Sequence, residues 1–208
     1  MRHSAGMDEV AIGGSLFSWI GTLALAVTLA AVAGLRAWLP LLVAGVLSKL
    51  GVADLGASFG WLGSWPALGL LGGATAIEVA GDKIPVVDHA LDMVGTIIRP
   101  LTGTLAAAAA LVHIQDPLIA LVIGLCVGAP IALAPHVAKS TLRGVSTGAT
   151  AGVANPLLSL IEDAVSLLIT VLAFFMPILA ALLVACCGWL LWRWFRRGRG
   201  SARPPAAV

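Results

Sequence analysis

Eleven ionisable side chains decide what chemistry this sequence could perform. Glu78, Asp82, Asp88, Asp92, Glu162 and Asp163 supply carboxylates, and Arg36, Lys83, Arg99, Lys139 and Arg143 supply bases. All sit in or beside apolar runs of a 208-residue chain that is 60% hydrophobic and only 11% charged. Ionised groups at membrane depth are costly, so they usually face a bundle interior or a water-filled cavity. Two chemistries fit the near-balance of signs: mutual neutralisation in ion pairs, or a pathway for an ion, proton or polar solute. Asp88, Asp92, Gly95 and Arg99 recur at steps of four, three and four, which keeps them on one helical face. His136, Lys139 and Arg143 share a face of a later segment. The acidic face is expected to meet the basic one, with Asp88 and Asp92 within about 4 Å of Lys139, Arg143 or Arg99.

A further stripe, Ser159, Asp163, Ser166 and Thr170, runs along a later apolar segment. Hydroxyls and one carboxylate so placed can line an aqueous path or hydrogen-bond across a helix interface. Catalytic patterns are missing: the sequence has no HExxH, GxSxG or P-loop, and no GxGxxG in a strand–helix context. The spacing of Asp88 and Asp92 resembles half of the metal-binding motif of CDP-alcohol phosphotransferases, but the preceding half is absent. His89, His113 and His136 show no ligand spacing, so neither metal nor cofactor is implied. Cys126, Cys186 and Cys187 form no CxxC pair and read as apolar filler.

The elements that must position these residues are membrane helices. A soluble domain carries about 25% charged residues, and a mean hydropathy of +1.03 places this chain in a bilayer. Net charge is only +2, yet Arg193, Arg196, Arg197, Arg199 and Arg203 crowd the end, after Trp189 and Trp192. Basic clusters beside a span mark the cytoplasmic side, and tryptophans mark the interface. These arginines are read as that signal and not as a nucleic-acid surface. The first residues lack a cleavable signal pattern.

Spans are expected over 10–33, 41–50, 66–79, 101–112 and 118–135, and two more over 156–195, broken at Pro177. A 40-residue helix would be about 60 Å long, twice the hydrocarbon thickness. The count is seven, with six as the alternative. Gly34 and Pro40 punctuate the first break, beside Arg36. The segment Ile84–Arg99 is expected as an amphipathic helix lying at the interface or re-entering the bundle, ended by Pro100. A second polar segment follows Pro135 and ends at Asn155–Pro156.

A shift of 56 positions overlays two units of span, polar segment and span, about 66–115 and 117–176. Lys83 meets Lys139, and Pro100 meets Pro156. Proline would open the next span in each, with Asn155 a favourable cap. The expectation is a weak parallel repeat about an axis along the membrane normal.

GLRAWLPLL at Gly34–Leu42, E-x-x-x-DKIP-x-VD-x-x-LD at Glu78–Asp92 and RPLTG at Arg99–Gly103 resemble the first half of a known family. H-x-x-K-x-x-x-R at His136–Arg143 and NPLLSLIED at Asn155–Asp163 resemble its second half. It is the bacterial multi-pass membrane family designated domain of unknown function 4126, and the resemblance implies no activity or cofactor.

The sequence thus reads as an all-α polytopic bundle: one transmembrane domain over 1–195 and a basic, disordered cytoplasmic tail over 196–208. Its location is the bacterial inner membrane. The candidate centre is Arg36, Glu78, Asp82, Lys83, Asp88, Asp92, Arg99, His136, Lys139, Arg143, Asn155, Ser159, Glu162 and Asp163, near the cytoplasmic face. Transport or conduction of a small polar solute or ion is the first reading. A structural, assembly or lipid-interacting component is the second. An enzyme is disfavoured. Lipid is the expected partner, self-association is compatible, and nucleic acid is not expected. A wet cavity touching Asp88, Asp92, Lys139 and Asp163 would favour transport, and a dry, paired network the structural role.

Overall fold

The computed structural model describes residues 2–150 and 155–199, and among these every regular element is helical. In chain order they are α1 (Arg2–Leu35), α2 (Leu39–Lys49), a 3₁₀ turn (Ala57–Gly63), α3 (Trp65–Gly81) and α4 (Pro85–Ala110). Then come α5 (Pro117–Ile123), a π turn (Gly124–Gly128), α6 (Ala129–Thr150), α7 (Asn155–Phe175) and α8 (Pro177–Arg199). Proline stands in the first turn of six of the α-helices, at Pro40, Pro66, Pro85, Pro117, Pro156 and Pro177, where its missing N–H leaves no bond unmade. Ser64 and Asp116 cap α3 and α5 by accepting from Ala67 N and from Leu118 and Ile119 N. Gly51, at φ +69°, closes α2 with the left-handed residue that lets Val52 N reach Leu47 O.

Among the described residues four helical stretches are long and apolar enough to cross a membrane: Ser18–Leu35, Ala90–Ala110, Pro117–Gly144 and Asn155–Phe175. Leu39–Lys49 and Pro177–Arg193 are apolar but shorter. Length and composition therefore support four of the seven expected spans. The break at Pro177 is where it was expected. Residues 200–208 of the basic tail lie outside the described residues, and its first part, through Arg199, continues α8.

One expectation is corrected. Pro100 and Pro135 do not separate a polar segment from a span; each lies inside a continuous helix, α4 and α6. Around Pro100, Thr102 donates to the carbonyls of Ile98 and Arg99, and Thr104 to that of Pro100. Hydroxyls of this kind let a membrane helix carry proline without stranding its backbone. The two prolines that anchored the expected repeat consequently occupy different places, one mid-helix and one in the first turn of α7. The charged face of α4 turns toward the basic face of α6, as expected, with Asp88 against Arg143. Ile84 and Val94 are half exposed, while Asp88 and Arg99 are 3% and 2% exposed. The polar face points into the bundle and the apolar face points out.

The core is a tight junction of α1, α4 and α6. Ala30–Ala33 and Ala106–Ala110 are buried. A Cβ at Gly34 would collide with the Ala132 carbonyl, and one at Gly128 with that of Gly103. In lipid, where water does not drive helices together, close backbone approach through small residues supplies the attraction. α1 and α4 run antiparallel: Ser18 bonds His113 at 2.8 Å near one end, and Gly34 O accepts from Arg99 at 2.8 Å near the other. Sixteen residues separate Ser18 from Gly34, about 24 Å of helix. The charged layer lies about that far along α1 from the Ser18–His113 contact.

Candidate functional site

α1 ends at Leu35 and α2 begins at Leu39, so the chain exposes the carbonyl end of one helix and the amide end of the next. Helix ends leave unsatisfied backbone groups, and none can be left bare in a membrane interior. Ionised side chains meet them. Arg99 donates to Gly34 O at 2.8 Å, and Lys139 Nζ lies 3.5 Å from Leu35 O. Glu78 accepts from Ala37 N at 3.0 Å and Trp38 N at 3.5 Å. The signs suit the helix dipoles, with cations at the carboxyl end of α1 and an anion at the amino end of α2.

Arg36, in the break itself, is fully buried, and each nitrogen of its guanidinium lies close to an oxygen. Nη1 bonds Asp82 Oδ2, Nη2 donates to Ser159 O at 3.1 Å and Oγ at 2.9 Å, and Nε is 2.7 Å from Asp163 Oδ1. Asp82 is the hub. Its Oδ2 also accepts from Lys139 Nζ at 2.9 Å and Arg143 Nη2 at 3.0 Å. Burial alone would raise the Asp82 carboxyl, but Lys139, Arg36 and Arg143 outweigh it and hold it at about 2, below the usual 3.8.

Glu162 Oε2 sits 3.1 Å from Lys139 and 3.0 Å from Arg143, and Arg143 also bonds Asp88. Lys83, the most exposed member, is 3.6 Å from Asp163. A second, smaller group surrounds Arg99, with Glu78 at 3.6 Å and Asp92 at 3.8 Å.

The expected pairing is present, with one difference. Asp88 meets Arg143 across α4 and α6, whereas Asp92 pairs within its own helix, with Arg99. Ser159, Ser166 and Thr170 are fully buried. Ser159 Oγ accepts from Arg36, and within α7 Thr170 donates to Ser166 O at 2.6 Å. Asn155 is buried at the start of α7. His136 lies apart, its Nε2 3.2 Å from Thr96 Oγ1, beside a polar indentation that includes Ser140 and Thr141. Sequence reasoning missed the central place of Asp82 and the capping by Glu78. The signal was there, since both flank the turn between α3 and α4, but spacing along one helix says nothing of contacts across five. Among the described residues no cluster of His, Cys, Asp and Glu is arranged to hold a metal ion.

A groove of about 760 Å³ lies between α1, α6, α7 and α8. Its walls are mostly apolar, and it touches the charged network at Lys139 and Glu162 only.

The chain belongs to the family described as Domain of unknown function (DUF4126), whose model matches residues 23–197. No match was found among curated proteins or among solved structures.

Proposed function

We propose that this protein is a lipid-interacting membrane component whose buried charges are a structural clamp on a broken helix. One observation carries the reading: the polar groups exposed by the break between α1 and α2 are already taken up by the protein's own Arg99, Lys139 and Glu78. In carriers with discontinuous helices, such ends are left to bind the substrate or its coupling ion. Here the place of a solute is filled by side chains. The cavity supports the same conclusion, since the groove between α1, α6, α7 and α8 is mostly apolar. Placement is in the bacterial inner membrane, with the arginine-rich end of α8 on the cytoplasmic side.

Solute transport is the second reading, favoured by the polar indentation at Thr96, His136 and Ser140 beside the network. Asp88→Asn separates the two. As part of a clamp, the substitution should lower the unfolding midpoint, at a cost of about 1–3 kcal/mol, and proteoliposomes should pass a panel of ions and metabolites no faster than empty vesicles. Selective flux by the wild type, abolished by Asp88→Asn with an unchanged midpoint, would decide for transport.

A further inference from the structure

The groove between α1, α6, α7 and α8 differs from a chance crevice between lipid-facing helices in its length and in the charge at one end. On α8 its wall is a single stripe, Val184, Cys187, Gly188, Leu191, Trp192 and Arg196, at steps of three, one, three, one and four. Val184 to Arg196 is about 18 Å of helix, close to one leaflet of a core roughly 30 Å thick. From Val184 to Trp192 the α8 wall is apolar, whereas Arg196 lies beyond the apolar stretch that ends at Arg193. There the Arg196 guanidinium stacks on Trp192 at 4.7 Å. An aromatic ring beneath a cation is the arrangement found at the headgroup level of a bilayer. The wall holds three charged residues, Lys139, Glu162 and Arg196. Lys139 and Glu162 neutralise each other at 3.1 Å, which leaves Arg196 as the unbalanced charge. Arg193 and Arg197 adjoin it in sequence.

From this we infer that the groove is a binding site for an anionic glycerophospholipid. One acyl chain lies along Val184–Leu191, and the phosphate meets Arg196 at the basic end of α8. The inference rests on the lipid-interacting reading above and adds the headgroup charge and the orientation of the lipid. A phosphate accepts two parallel hydrogen bonds from a guanidinium, and a basic residue near a membrane surface favours anionic lipid by about 1 kcal/mol, or about fivefold.

The test uses the full chain, purified in detergent and titrated with phosphatidylglycerol or phosphatidylcholine while bound lipid is counted by native mass spectrometry. Wild-type protein should retain phosphatidylglycerol about fivefold more tightly. Arg196→Gln, an exposed position, should remove that preference and leave lipid binding itself intact. Gly188→Phe should abolish binding of both lipids with an unchanged unfolding midpoint, because a Cβ there meets no protein atom within 4 Å and the ring has the groove to enter. Equal retention of the two lipids by wild type would overturn the anionic assignment and leave the lipid-interacting reading standing. Retention of neither would overturn both. A dimer, carrying no lipid and lost with Gly188→Phe, would assign the groove to a second copy of the chain and overturn the inference.

Discussion

Between α1 and α2 the helix is interrupted by Arg36, Ala37 and Trp38; between α7 and α8 it is interrupted by Met176 alone. A proline follows each break, Pro40 in one and Pro177 in the other. At the second, the backbone closes its own bonds: Met176 N donates to Leu172 O at 2.7 Å, and Ala180 N to Met176 O at 3.0 Å. Its neighbours are small or apolar, with Pro177 packed beside Gly21. At the first, two amides and two carbonyls fall beyond reach of the backbone, and Glu78, Arg99 and Lys139 cover them. The charged residues of this protein thus cluster where an interruption is too long for the main chain to heal. A one-residue break needs no such help.

The largest effect should come from removing the cation inside the longer break. Arg36→Met leaves Asp82 and Asp163 short of a partner, and breaking a buried pair costs about 3–5 kcal/mol. Denaturant unfolding in mixed micelles would measure it; a loss under 1 kcal/mol would mean that the clamp does not hold the break.

Acid should act on the same clamp. The Asp82 carboxyl is held at about 2 against an ordinary 3.8, so its contribution is complete above about pH 4. It is lost as pH falls through about 2, where the folded form finally binds the proton. A stability profile should therefore decline between about pH 4 and pH 2, and Asp82→Asn, less stable at neutral pH, should flatten that decline. An equal slope in both proteins would remove Asp82 from the hub.

Pro177→Ala should have the smallest effect, within about 1 kcal/mol in either direction, because the bonds at that break are already made. If it matched Arg36→Met, the contrast between the two breaks would disappear.

Much of this arrangement is legible in the residues. Gly34, Pro40 and Pro177 mark real interruptions, and the step of four between Asp88 and Asp92 correctly put both on a polar face. Reading that face as outward or inward was beyond periodicity, because a helical wheel separates polar from apolar without saying which meets lipid. In water the polar face of α4 would be exposed; in a bilayer the same wheel turns inside out. Pro100 and Pro135 misled for a related reason. Proline ends helices where water competes for the freed carbonyl, but in lipid continuing the helix leaves fewer groups bare. The convergence of Arg36, Lys139 and Arg143 on Asp82 involves α6 and the loops after α1 and α3, and no local spacing encodes it.

The contact of Gly34 with the Ala132 carbonyl constrains how this bundle can move. Two backbones in direct touch cannot slide like a piston, since a step of one helix along the other would drive a side chain into the carbonyl now facing a bare Cα. With Gly103 against Gly128 at the next interface, α1, α4 and α6 form a spine without play along its length. Axial sliding within that spine is thereby blocked, and the Arg36–Asp163 and Arg143–Glu162 bridges fasten α7 to it from the side.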